Sequence, residues 1–528
     1  MATAGRKPTH GQTLKPARRD VDDPRSPSPA RVAAIAFVLT AASGFVYLLV
    51  AGGFRFDFRQ SDTPHHILMA DALLHGQLPV RREALQWKMD RLRRVREASV
   101  ARRMRAAGTT LTPEDREALV DKELRQIVYH DYALLDGRVY GYWGPLTPAL
   151  MMPFVALFGL GVSDLWISAL FGAANIGLFY WLLCRANRVE LCSTSGACRV
   201  ALALLLAFGT SHFWLACKGE VWFTVQIVTL GALLLALVAA FSPTNRTRDW
   251  LLCGVFFGAA ILGRSVVAAL GLFFLAMIWI RVRGGKREPG SASVAPALRR
   301  AIAFCVPAAL AVGVQGLYNY GRFGSFSESG VGIQIRTRGN PRFLESYEKY
   351  GTFALHYVPE NFKYYFWNCN FPTDTHGRLS YDPNGNSIFL MTPPLLYLFL
   401  LWRRWSAFPA AVLLGVAPLL AALLCFNGSG WVQFGPRYLL DATPLLLLLV
   451  TLGMRGRITY VSYVLLVLAV AVQVFGASRM LRLQFSTLAD WITVWSLLAA
   501  VIVMLTGGGV LAGLAYLRRR SRRAVPVS

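Results

Sequence analysis

Apolar runs close to the length of a bilayer crossing recur from residue 32 to residue 516, joined by short, mostly basic connections. A ~30 Å hydrocarbon core takes roughly 20 apolar residues of helix, so this pattern commits the chain to a polytopic membrane body. Of 528 residues, 55% are hydrophobic and 16% charged. Soluble domains average roughly 45–50% apolar and about 25% charged. A soluble enzyme and a secreted disulfide module are thereby excluded.

The crossings read from the sequence are Val32 to Gly52, Leu165 to Cys184, Val200 to Ala216, Val221 to Phe241, Trp250 to Gly263, Ser265 to Ile280, Ala301 to Tyr320, Ile388 to Trp402, Trp405 to Phe426, Leu439 to Met454, Ile458 to Ala477 and Trp491 to Tyr516. The count of twelve turns on Arg264, which alone interrupts the stretch from Trp250 to Ile280. Two short helices meeting there place the loop Arg281 to Arg300, with six Lys/Arg and one Glu, in the cytoplasm, as the positive-inside rule requires. The same parity puts Arg403/Arg404, Arg455/Arg457 and the Arg518 to Arg523 cluster inside, and both termini with them.

Three regions follow. Residues 1–31, with seven Lys/Arg and three Asp, read as a disordered basic cytoplasmic tail, and the run after them as a retained first helix. Residues 32–454 form the transmembrane body, with external loops 54–164 and 321–387; residues 455–528 hold the last helices and a basic cytoplasmic tail. Within the first loop the sequence predicts a helix from Thr63-Pro64 to His75, stopped at Gly76. A basic amphipathic helix over Arg81 to Arg105 and a more acidic one over Pro113 to His130 follow. Gly144 to Gly159, with three prolines, is short and broken and reads as an interfacial or re-entrant piece.

The net charge of +26 would suit nucleic acid. Its placement in tails and connections instead suits anionic lipid head groups, so membrane lipids are the expected partner and nucleic acid is not. Cys192 and Cys198, the closest cysteine pair, lack further ligands at metal spacing. No phosphate-loop, HExxH, GxSxG or dinucleotide fingerprint occurs, which leaves an external, lipid-linked substrate for any reaction.

Candidate chemistry gathers near the expected outer face. Asp62, with Asp57 before it and His65, His66 and Asp71 after it, offers a carboxylate that could act as general base or ligate a divalent cation; alternatively it caps the next helix. Arg264, a charge within apolar sequence, could meet an anion or simply snorkel to the interface. Lys218 and Glu220 sit in a tight turn and could hold a phosphate and sugar hydroxyls respectively, or form a solvated hairpin tip. Arg437 and Asp441 are four apart, a spacing that permits a helical ion pair; the other reading turns Arg437 toward a ligand. The second large loop is dense in aromatics, from Phe343 to Tyr381, suited to interfacial anchoring and, for a few, to stacking on sugar.

Several ordered motifs carry a resemblance: SDTPHHILMADALLHGQLPV, DGRVYGYWGPLTPALMMPFVALFG, KGEVWFTVQ, LGRSVVAALGLF, YNYGRFGSFSESG, YDPNGNSIFLMTPPLLYLF and GWVQFGPRYLLDATPLLLLLV. From about Val32 to Met454 the chain resembles bacterial GT-C fold membrane glycosyltransferases akin to the protein-mannosyltransferase type. The resemblance implies an all-α, GT-C-like polytopic protein in a bacterial plasma membrane with its active site outside. It would move a mannose- or arabinose-like sugar from a polyprenyl-phosphate carrier to an external lipid, glycan or protein acceptor with inversion. Asp62 matches the family's first-loop acidic residue, base or metal ligand. Arg264, Lys218 and Arg437 would hold the donor phosphate, and His65, His66, Glu220 and Tyr142 would line the substrate. The paired acidic residues of some members are absent, since Thr63 follows Asp62, so a divalent cation stays open. The basic insertion 81–105 has no counterpart in the resemblance. Two other classes compete: a transporter or flippase of a lipid-linked sugar, and a non-catalytic membrane scaffold.

Overall fold

The computed structural model describes residues 28–54, 59–108, 112–284, 294–338, 341–373, 377 and 379–481. Those residues are mostly helical; the one sheet among them is a two-stranded hairpin pairing Ala133–Leu135 with Arg138–Tyr140. Seven helices are long and apolar enough to cross a membrane: Pro29–Ala51, Asp164–Arg188, Val221–Ala240, Ser265–Arg283, Ala295–Phe323, Ala407–Leu424 and Tyr460–Met480. An eighth span results if Gly196–Phe208 and His212–Lys218, bent by 48° against each other, count as one. Thr247–Gly263, Pro393–Arg404 and Thr443–Gly453 occupy three further expected crossings as shorter segments, the second a 3-10 helix. The expected crossing from Trp491 to Tyr516 and most of both basic tails lie outside the described residues.

Local sequence sets the helix starts. Ser28 caps the first helix with Pro29 at its first position, Ser163 caps Asp164–Arg188, and Thr112 caps Pro113–Val128. The stretch around Arg264 is broken, as its lone charge predicts. The helix ends at Gly263, Arg264 is extended (φ −145°, ψ 106°), and a 3-10 turn over Ser265–Leu270 leads into Gly271–Arg283. Backbone packing is close at Gly254, where a Cβ would come within 2.3 Å of the Phe304 carbonyl oxygen. This seats Thr247–Gly263 directly on Ala295–Phe323, a helix whose other face leaves Leu310 and Leu317 exposed for lipid.

The main core runs through the bundle and is filled by Trp214, Trp250, Phe179 and Phe241. A smaller core lies in the first loop region, where the basic helix Arg82–Ala107 packs on the acidic Pro113–Val128 through Leu92, Val100, Val120 and Leu124. The apolar helix Leu146–Phe158, with Pro153 inside it, packs Met151 and Val155 against Ile67 and Ala70 of His65–Leu74. It is too short to cross by itself.

Candidate active site

A cavity of about 610 Å³ opens where the first loop region meets the ends of the bundle helices. Lys218 and Glu220 reach it from the turn between two apolar helices. Gly219 makes that turn at φ +64°, and a Cβ there would lie 2.4 Å from Leu165 Cα, so only glycine fits. Arg264 enters from the helix break, Arg437 and Tyr438 from a 3-10 turn after Pro436, and Tyr142 and Trp143 from the end of the hairpin. Apolar side chains, among them Val331, Ile335, Phe343, Phe353 and Phe426, complete the wall. Five of the residues expected from sequence therefore share one space: Tyr142, Lys218, Glu220, Arg264 and Arg437.

The cations are held by specific partners. Arg264 Nη1 donates to Asp441 Oδ2, and the guanidinium lies 5.1 Å from the Tyr438 ring centre. Arg437 donates from Nε to the Gly430 carbonyl at 2.9 Å and stacks between Phe223 and Tyr438. Lys218 Nζ donates to the Met480 carbonyl at 3.1 Å and lies 3.5 Å from Glu220. The ion pair that four-residue spacing permits between Arg437 and Asp441 does not form. Arg437–Asp441 is a 3-10 turn, which eclipses residues three apart and turns those four apart away from each other. Asp441, fully buried, pairs with Arg264 instead.

One carboxylate of the wall, Asp131, was not visible in the sequence. Asp131 lines the cavity from a backbone at φ 56°, accepts from Gln334 Nε2 at 2.8 Å and lies 3.5 Å from His130. Burial raises its pKa, against the lowering pull of His130, Trp222 and Arg437. Burial likewise raises that of Glu220, opposed by Lys218, while Asp62 adds to the rise. The positive φ, which Asp tolerates better than most residues, was the one local signal, and it is not legible without the fold.

Asp62 lies beside the cavity, not on its wall. Its carboxylate is 58% exposed and bonds Arg96 Nη2 at 3.3 Å, and the helix His65–Leu74 has no side-chain cap, so Asp62 does not cap it. His65 and His66 are buried away from the lining. His65 Nε2 donates to the His130 carbonyl (2.7 Å) and stacks on Tyr132, while His66 Nε2 donates to the Val221 carbonyl (3.1 Å) and meets Trp143 edge-on. The two histidines support the site's walls instead of reaching its interior. Among the described residues no three His, Cys, Asp or Glu side chains converge.

The buried base in the same region has a pH consequence. Burial and the nearby Arg91 push the Lys88 ammonium, which donates to the Val128 carbonyl at 3.2 Å, down to about 7. The unfolded chain holds that proton up to a pKa of about 10.4, so it binds more protons than the native state above pH 7, and stability rises with pH there. Between pH 7 and 8.5 the gain is about 1.5 kcal/mol. Thermal unfolding of the purified protein is expected to shift upward over that range, and Lys88→Met to flatten the shift; an equal slope in the variant assigns it to other groups.

No protein family matches the chain, and no curated protein does. Among solved structures the chain is similar to ArnT from Cupriavidus metallidurans bound to undecaprenyl phosphate, at 12% identity and a TM-score of 0.45, over 93% of this chain and 73% of that one. It is also similar to the Archaeoglobus fulgidus oligosaccharyltransferase in the apo form, at 12% identity and a TM-score of 0.37, over 86% of this chain and 55% of that one. Fold and cavity define a multi-pass helical membrane protein with a polar site built at one end of its bundle.

Proposed function

We propose that the protein is a GT-C type membrane glycosyltransferase that uses a polyprenyl-phosphate-linked sugar, hexose or pentose, as donor. One observation carries this reading: a single cavity joins three cations, two carboxylates and an apolar wall. A phosphate bearing an isoprenoid chain on one side and a sugar on the other needs all three surfaces. Arg264, Lys218 and Arg437 hold the phosphate through charge-assisted hydrogen bonds. Val331, Ile335, Phe343 and Phe353 cover the first isoprene units. Glu220 and Asp131 accept from sugar hydroxyls, and Tyr142 offers a ring face to the sugar.

In the reaction an acceptor hydroxyl oxygen attacks the anomeric carbon from the face opposite the phosphate. The new glycosidic C–O bond forms as the sugar–phosphate C–O bond breaks, and polyprenyl phosphate departs with its electron pair. The hydroxyl proton goes to the Asp62 carboxylate, which lies at the cavity's edge where an acceptor would arrive. The acceptor is an external lipid, glycan or protein, and the cavity faces outward in a bacterial plasma membrane, which the basic connections on the other side support.

Purified protein reconstituted with labelled polyprenyl-phosphate sugar and an acceptor-bearing membrane extract is expected to yield a new labelled glycoside and free polyprenyl phosphate. Movement of intact donor across the bilayer without product would make the protein a transporter. Neither outcome would leave a scaffold.

A further inference from the structure

The proposed reaction does not use the basic insertion, and the cations of that insertion do not point to solvent alone. Two of them glue the helix Arg82–Ala107 to its acidic neighbour: Arg93 pairs with Asp121 at 2.6 Å and Arg103 with Glu123 at 2.7 Å. Three others reach the segments that carry the site. Arg91 donates from Nη1 to the Gln60 carbonyl at 3.3 Å and from Nη2 to the Ser61 carbonyl at 2.7 Å. Arg96 holds the Asp62 carboxylate. Lys88, with no exposed surface, donates to the carbonyls of Ile127 and Val128, just ahead of His130 and Asp131.

We infer that this helix is a clamp that fixes the Asp62 turn and the His130–Asp131 turn relative to each other, with Arg91 as the positioning residue for Asp62. The inference rests on the reading of Asp62 as the base. The opposite side of the same turn is held as firmly: Ser61 N donates to Asp164 Oδ1 at 2.8 Å, and Gln60 Nε2 to the carbonyls of Leu160 and Val162. Residues 60–61 therefore have their backbone groups bound from two sides, while the Asp62 side chain stays half open. That is what a base must have: a fixed origin and a reachable carboxylate. A planar guanidinium is the group that can serve two successive carbonyls at once, which an ammonium on a flexible stem does less well. A bland solvated face, or a patch for anionic lipid, would make all the arginines of this helix equivalent. Arg105, which among the described residues bonds only the Ala101 carbonyl of its own helix, is the comparison.

The test uses the full-length protein in the reconstituted transfer assay, with hydrogen exchange of residues 60–63 as a second readout. Arg91→Ala is expected to lower kcat by about 10- to 100-fold, since a misplacement of about 1 Å can cost 10² in rate. The donor KM should stay within about twofold, because Arg91 touches no part of the phosphate site and a uniform binding loss is not expected. Exchange at residues 60–63 should rise, Arg91→Lys should recover part of kcat, and Arg105→Gln should match wild type. Normal kcat in Arg91→Ala despite faster exchange, or an equal loss in Arg105→Gln, overturns the clamp. If Arg91→Ala does not accumulate, Arg91→Lys decides: full activity with unchanged exchange refutes the inference, and a partial loss of both supports it. Activity retained in Asp62→Asn refutes the base reading instead, and the exchange result for Arg91→Ala separates the two failures.

Discussion

Asp62→Asn is expected to lower glycosyl transfer by roughly 10²–10⁴-fold, the range for a positioned general base. The substitution is conservative in this setting. Among the described residues the Asp62 side chain makes one partly exposed contact, to Arg96, and caps no helix. An exposed pair of this kind contributes about 0–1 kcal/mol, so the variant should accumulate normally and keep its thermal unfolding midpoint. The turn that presents residue 62 is held through backbone groups of Gln60 and Ser61, which the substitution does not touch. Donor KM should change little, because the phosphate is held elsewhere. Transfer measured at matched protein levels decides: near wild-type rates would shift the base to a carboxylate on the cavity wall, Asp131 or Glu220.

Arg264→Ala is expected to fail for two reasons at once, and only a paired substitution separates them. The guanidinium faces the cavity and is also the partner of Asp441, whose side chain has no exposed surface and whose Oδ1 has no hydrogen-bond partner among the described residues. Removing one member of a buried pair costs roughly 3–5 kcal/mol, because the remaining charge is stranded. The single variant should therefore be depleted from membranes. Arg264→Gln combined with Asp441→Asn removes both charges and leaves two amides able to bond each other, so accumulation should recover. Donor KM in this double variant should stay raised by about 10- to 100-fold, the worth of one charge-assisted hydrogen bond of roughly 1.5–3 kcal/mol. Acceptor KM should not follow. Arg264→Lys keeps a cation for Asp441 but not the fork, and should fall between wild type and the double variant. A double variant with normal donor KM would reduce Arg264 to a structural counter-ion.

The aromatic second loop shows how one sequence signal divides in space. Phe343 and Phe353 join the cavity wall, and Tyr365 is buried, whereas Trp367 is 80% exposed. Composition alone gives all of them the same large aromatic surface; depth in the fold assigns each its surroundings.

The membrane body, the helix break at Arg264 and the basic and acidic helices of the first loop were determined by the sequence itself, whereas the expected Thr63 cap does not form: the helix His65–Leu74 starts after Pro64 without a side-chain cap. Each feature so determined follows from a local property: the length of an apolar run, a charge that apolar surroundings do not tolerate, a 3.6-residue period. Lys218, Glu220, Arg264 and Arg437 were also visible as charged residues beside or within apolar runs, and Tyr142 through the resemblance alone. What tied them together was not. Arg264 finds Asp441 across 177 residues, Arg91 finds Ser61 across 30, and Gln334 finds Asp131 across 203. The nearer candidate, Arg437 for Asp441, lost because a 3-10 turn rotates it toward Gly430. Spacing along the chain reports only which groups could share a helix face. Which buried charge meets which is decided by the packing that removes them from water, since an unpaired group there is too costly to keep, and that packing exists only in the tertiary structure.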